Sequence, residues 1–246
     1  MCPNDFGKIV DKTYLSVDLA ERRGFLHRDY IAHCFRWSHV IKFLSEKKRY
    51  ESAHILDIAC GKETPLLKTL YSSRLIPQSY CGIDFGPINP PDPALMKKFP
   101  VTLYPNYNIL DIEPTKGWTQ IAMFECLEHM EADMGREVLK HIQGFMTSGQ
   151  TTFFMSTPCF DGHKAANHVY ERTYEELREL LLTLDYKIVN VWGTFASIKD
   201  YVDHFTSEQR EIFDELREYY DSNVLSVIFA PMFPEYSRNA LWQLTI

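Results

Sequence analysis

No apolar run in this 246-residue chain approaches the roughly 18 residues of a membrane span, so the sequence carries no transmembrane helix signal. The opening Met1-Cys2-Pro3-Asn4-Asp5 lacks the basic and apolar stretches of a secretory leader. The six cysteines are scattered and form no C-x-x-C pair, which fits a reducing, cytoplasmic compartment. No dense Lys/Arg block exists, and the formal net charge is −7. Lys47-Lys48-Arg49 and Glu21-Arg22-Arg23 are short and read as solvated helix ends, so the charge argues against a long duplex nucleic acid as partner. There is also no G-x-G-x-x-G fingerprint, which counts against a dinucleotide pyrophosphate as ligand.

What is present is an alternation of apolar strands and amphipathic helices. With 45% hydrophobic residues the chain can bury one sizeable core. Residues 1–27 read as irregular, with Tyr14 and Phe25 as contacts. Ile31, Cys34, Phe35, Trp37, Val40, Ile41 and Leu44 recur at helical steps, so a helix is expected over Arg28–Lys47. Strands are expected at His54–Ile58, Tyr80–Asp84, Val101–Tyr107, Gln120–Cys126, Thr151–Ser156, Lys187–Trp192 and Ala240–Ile246. Pro65 sits in the first turn of a helix after the first strand. A second helix is expected at Met134–Met146. A third starts at the capping-box spacing Thr173-Tyr174-Glu175-Glu176 and buries Leu177, Leu180, Leu181 and Leu184. The proline-rich residues 86–100 read as a loop with one short turn. Strands alternating with helices imply an α/β fold, a parallel sheet with right-handed crossovers.

The most telling stretch joins the first two strands. His54-Ile55-Leu56-Asp57-Ile58-Ala59-Cys60-Gly61 is an apolar strand running through an acid into a tight turn, with a helix directly behind it. Tyr80-Cys81-Gly82-Ile83-Asp84 is a second strand that ends in an acid. This pairing suits a ligand with an amino group and a ribose. One acid serves the ammonium end, Gly61 lets the ligand approach the backbone, and Asp84 accepts from both ribose hydroxyls.

The pattern resembles the class I S-adenosylmethionine-dependent methyltransferases, on Asp57, Gly61 and Asp84. It departs from them at Ala59 and Glu63, where the family often has glycine. The resemblance implies a seven-stranded, mostly parallel sheet with S-adenosyl-L-methionine held by Asp57, Ala59, Gly61, Asp84 and Glu125. It also implies an adenine contact after the third strand, at Asn108 or Asp111. The last strand is expected to be antiparallel and to lie beside the sixth. The expected organisation is an N-terminal extension and helix (1–50), a cofactor-binding core (51–195), an insertion (196–239) and the last core strand (240–246).

Two segments could carry acceptor chemistry. After the fourth strand the chain reads Glu125-Cys126-Leu127-Glu128-His129, an E-x-x-E-H run. After the fifth it reads Asn167-His168-Val169-Tyr170-Glu171. Two carboxylates and two imidazoles can act as acid and base or as metal ligands. Glu125, Glu128, His129 and His168 together resemble the metal-binding set of the small-RNA 3′-terminal 2′-O-methyltransferases. That resemblance implies a divalent metal against a terminal ribose diol. The same strings resemble metal-free relatives, in which the histidine is a general base or a structural hydrogen-bond partner, so His129, His168 and Glu128 are either catalytic without an ion or satisfied polar groups. The sequence lacks the [DNS]-P-P-[YFW] motif of amino-methylating DNA enzymes and a Pro-Cys nucleophile after the fourth strand.

The reading is therefore methyl transfer to a soluble small-molecule or nucleotide-like substrate, with oxygen favoured as acceptor. The alternatives are a metal-assisted RNA ribose methyltransferase and a non-catalytic cofactor-binding protein. Residues 196–239 are expected either to cap the active site, through aromatics such as Tyr201, Phe205 and Tyr236, or to serve packing or dimerisation. Arg238 is an anion-binding candidate or a surface cation covering apolar area. Nothing in the sequence indicates an oligomeric state.

Overall fold

The computed structural model describes residues 28–196, 201–220 and 222–246. The contacts expected for Tyr14 and Phe25 lie outside the described residues. Seven strands form one sheet: β1 (His54–Ile58), β2 (Ser79–Asp84), β3 (Val101–Pro105), β4 (Gln120–Phe124), β5 (Thr152–Pro158), β6 (Lys187–Phe195) and β7 (Asn239–Thr245). Among the described residues seven helices accompany them: α1 (Arg28–Ser45), α2 (Pro65–Ser72), the single turn α3 (Pro93–Met96), α4 (Ala132–Phe145), α5 (Tyr174–Thr183), α6 (Ser207–Leu216) and α7 (Ser222–Ile228). No helix of the described residues is long and apolar enough to cross a membrane.

The strand order is β3-β2-β1-β4-β5-β7-β6. The β1–β2, β1–β4, β2–β3 and β4–β5 pairs are all parallel. Parallel strands buried on both faces read as continuous apolar runs. Accordingly Ile55, Leu56 and Ile58 of β1 and Phe153, Phe154 and Met155 of β5 are all buried. β7 runs antiparallel to β6: Arg238 N–H donates to the Phe195 carbonyl and the Thr194 hydroxyl meets Asn239, so one number rises as the other falls.

Several boundaries differ from the sequence reading, each for a backbone reason. β3 stops at Pro105 because Asn106 turns left-handed (φ 59°). β4 stops at Phe124 because Glu125 does the same (φ 50°). α1 ends at Ser45, where a 3-10 segment (Glu46–Ser52) begins with Lys47 and Lys48 at positive φ. Arg49 closes this end by donating to the Phe43 carbonyl and lying over the Phe43 ring. The Thr173–Glu176 capping box forms as expected, and Leu177, Leu181 and Leu184 are buried below it. In α4, Val138, Leu139, Ile142 and Phe145 face the core at helical spacing. The Tyr186 hydroxyl ties β6 to that helix through the Leu139 carbonyl.

The chain divides into two compact units. Among the described residues, one is Trp37–Asn190 with Trp242–Ile246, and the other is 28–36 with Val191–Leu241. The second has a core of its own: Ala196, Tyr201, Phe213, Leu225, Phe229, Ala230 and Phe233. Tyr201 stacks on Phe233 and donates its hydroxyl to the Leu225 carbonyl. A second capping box, Thr206 with Gln209, starts α6. Arg238 here is half-buried at the entry to β7.

Candidate active site

In an open α/β sheet, ligands bind beyond the carboxyl ends of the strands, where the strand order reverses. Here that point is β1, which pairs with β2 on one side and β4 on the other. The register aligns Ile58 with Ile83 and Met123, and Phe124 with Ser156. The loops that follow these residues therefore emerge along one edge, and they hold Ala59, Gly61, Glu125, Glu128, His129 and His168, with Asp84 at the end of β2 and Asn108 and Asp111 after β3.

The β1–α2 turn is strained. Ala59 (φ 55°), Gly61 (φ 74°) and Thr64 (φ 45°) all take left-handed backbone. Only glycine does so without cost, and such strain concentrates at functional sites. The resembling family often has glycine at the position of Ala59. We expect Ala59→Gly to stabilise the fold by roughly 0.5–1 kcal/mol. Thermal unfolding checks this, and a lower melting temperature would show that the turn is not held in this conformation. Thr64 is 1% exposed, and among the described residues its hydroxyl has no hydrogen-bond partner.

Asp84 clasps this turn. Its Oδ2 accepts from the Gly61 N–H at 2.8 Å, and its Oδ1 accepts from the Gly86 N–H at 2.7 Å. Asn106 and Tyr107 then donate to the Gly86 and Asp84 carbonyls. The carboxylate thus ties the turn after β1 to its own loop, the backbone carbonyls add the loop after β3, and the carboxylate retains further lone pairs for a ligand. Phe85, directly after it, is 80% exposed. The sequence reading missed this residue, although a large apolar side chain beside the strand-ending acid was a signal for it. Glu63 turns to Lys68 (2.8 Å) and Asn89 (2.5 Å).

Asp57, expected near the cofactor's ammonium end, is a buried acid. It is 3% exposed and accepts from the Tyr80 hydroxyl at 2.5 Å. Burial pushes its carboxyl up to about 7, against the Tyr80 hydrogen bond, with the charge of Asp84 raising it further. A raised carboxyl pKa means the folded state holds a proton that the unfolded chain has released. Its cost is absent below about pH 4, grows as pH rises, and is complete above about pH 7. Asp57→Asn keeps an acceptor for Tyr80. It should stabilise the protein by roughly 1–3 kcal/mol at pH 8, with the gain vanishing toward pH 4. Denaturant melts at the two pH values check this, and a gain independent of pH would contradict it.

Of the adenine candidates, Asn108 caps a 3-10 turn (Ile109–Asp111) by accepting from Leu110 N–H at 3.1 Å. Asp111 ends the same turn and is exposed.

The acceptor candidates separate. Glu128, His129 and His168 offer ligand atoms within 4.8 Å of one another. Glu125 is not in this group, and its Oε1 accepts from the Ser156 hydroxyl at 2.8 Å. The expected four-residue metal set therefore gathers as three. Glu128 is 1% exposed and accepts from Thr157 at 3.0 Å. Its carbonyl accepts from Val169 and Tyr170 N–H, which stitches the loop after β5 onto the segment after β4. Nδ1 of His129 donates to the Asn167 carbonyl at 3.1 Å, because a carbonyl can only accept. Its Nε2 then carries the lone pair, 3.9 Å from Glu128. The two imidazoles meet edge to face, with centroids 5.1 Å apart.

No protein-family model and no curated protein matches this sequence. Solved structures do match in fold. Magnesium protoporphyrin IX methyltransferase from Synechocystis PCC 6803 is 8% identical, with a TM-score of 0.59 over 98% of this chain and 93% of that one. The small RNA methyltransferase HEN1 is 16% identical, with a TM-score of 0.52 over 85% of this chain and 25% of that one. The (4+2)-cyclase SpnF is 13% identical, with a TM-score of 0.52 over 84% of this chain and 79% of that one. The chain shares the fold of these structures, a seven-stranded α/β sheet in the order given above.

Proposed function

We propose that this protein is an S-adenosylmethionine-dependent methyltransferase acting on a small-molecule or nucleotide-like acceptor, with oxygen favoured. The carrying observation is the clasp of Asp84 on Gly61 at the reversal point of the sheet. The fold alone does not fix an activity, so the reading rests on the residues at this edge. They suit the cofactor: a carboxylate for a diol, a left-handed glycine for close backbone approach, a buried threonine hydroxyl, and the exposed Phe85 to cover an adenine ring. Asn108 and Asp111 flank the adenine position, Ala59 shapes the turn, and Asp57 supports it from below. When bound, the cofactor supplies an electrophilic methyl group. The chain's own part is to align the acceptor, exclude water and take the acceptor's proton. His129 Nε2 and His168 are the proton acceptors in this reading, with Glu128 holding the charge that develops on an imidazole.

A second reading is metal-assisted transfer to an RNA ribose hydroxyl. The grouping of Glu128, His129 and His168 within 4.8 Å favours it. One carboxylate and two imidazoles fit a divalent ion, which would lower the hydroxyl pKa of a ribose. Calorimetric titration of S-adenosylmethionine and S-adenosylhomocysteine tests the main reading. Saturable micromolar binding is the expected result. No binding at millimolar cofactor, with or without substrate mixtures, overturns it.

A further inference from the structure

Glu171 is a buried acid with no task in the reading above. Its side chain is 1% exposed. Its Oε1 accepts from His168 Nδ1 at 2.5 Å and from the Ala165 N–H at 3.2 Å. A carboxylate oxygen has no hydrogen to give and can only accept, so the hydrogen of the shorter contact belongs to Nδ1. A neutral imidazole carries one hydrogen, so Nε2 of His168 is left with the lone pair. An unconstrained imidazole favours the opposite tautomer, with hydrogen on Nε2 and nothing there to accept a proton or bind an ion.

The loop is built to hold this arrangement. His168 N–H donates to the Ala165 carbonyl, and Lys164 Nζ donates to the Val169 carbonyl at 2.7 Å. Val169 and Tyr170 are anchored on Glu128. Directly after Glu171, the buried Arg172 donates to the Ala132 carbonyl at 2.8 Å and lies over the Tyr170 ring. The chain is therefore pinned before and after Glu171, which holds its side chain and His168 in register. His129 receives the same treatment from a different acceptor, the Asn167 carbonyl.

We propose that Glu171 is a positioning residue. It locks His168 as the Nδ1–H tautomer and so makes Nε2 the nitrogen available for base or ligand chemistry. The inference rests on assigning His168 to the acceptor site, but it does not depend on which reaction that site performs. A carboxylate behind an imidazole also sets its ring orientation, which serves a general base and a metal ligand alike.

Long-range nitrogen–proton spectra of histidine-labelled protein, without cofactor, substrate or metal, test this. The His129 and His168 signals are assigned by their loss in His129→Gln and His168→Gln. The wild type should show both residues as Nδ1–H tautomers. Glu171→Ala should move His168 to a population dominated by Nε2–H while leaving His129 unchanged. Glu171→Gln, which keeps an acceptor oxygen, should restore much of the Nδ1–H form. An Nε2–H His168 in the wild type overturns the proposal, even if Glu171→Ala fails to fold. So does an unshifted His168 in Glu171→Ala, which would leave Glu171 only structural. Because the spectra need no cofactor, this result stands or falls separately from the methyltransferase reading.

Discussion

Asp84→Ala should weaken S-adenosylmethionine binding at least about 100-fold. A carboxylate that accepts two hydroxyl hydrogens makes two charged hydrogen bonds, each contributing roughly 1.5–3 kcal/mol. Losing both amounts to about two orders of magnitude or more in affinity. The structure adds a second cause. Oδ1 and Oδ2 also hold the N–H groups of Gly86 and Gly61, so the variant loosens the turn against which the cofactor would lie. Asp84→Asn retains one acceptor oxygen and should fall between the two, at about a tenfold loss. Calorimetry with both S-adenosylmethionine and its demethylated product reads the effect. Melting curves confirm that the variants remain folded. If Asp84→Ala binds within threefold of the wild type, the carboxylate does not hold the ribose and the cofactor site lies elsewhere.

His168→Ala should lower methyl transfer by roughly 100- to 10,000-fold, the span expected for removing a general acid–base group. Cofactor affinity should stay within about threefold, because His168 lies with Glu128 and His129 after β4 and β5, whereas the proposed cofactor residues other than Glu125 lie on or after β1 to β3. Isotopic methyl transfer to pooled metabolites and to short single-stranded RNA with a free 3′ diol measures the rate. Running the same assay with a chelator separates the two readings of the site. Turnover that survives chelation supports a metal-free base. Turnover that is lost and then restored by added divalent ion supports the triad as ligands. A His168→Ala enzyme with wild-type turnover would remove this side chain from the acceptor site altogether.

The fold was legible because its signals are local. An apolar run such as Ile55–Ile58, a capping box at Thr173, and prolines at 87–100 each fix their own segment, whatever the rest of the chain does. The strand ends were less legible. Whether Asn106 or Glu125 turns left-handed depends on what its backbone meets: the Gly86 carbonyl for Asn106 N–H and the Ser156 carbonyl for Glu125 N–H. Those partners are distant in the sequence and no periodicity encodes them.

The same distinction runs through the site. Sequence alone singled out Asp57, Gly61, Asp84, Glu128, His129 and His168, because acids and imidazoles at strand ends are conspicuous by residue type and position. Only the tertiary structure sorted them. Asp57 was sent inward, because Tyr80 of the neighbouring strand supplies its hydrogen bond and closes it from solvent. Glu125 was drawn to Ser156 and away from the triad. Phe85 stands out by its exposure, and Glu171 by its burial three residues past His168, properties a residue type does not carry by itself. Composition and spacing determine which groups are available. Pairing of β1 with β2 and of β4 with β5 determines which of them share a surface, since parallel register sets strand ends from distant parts of the chain side by side.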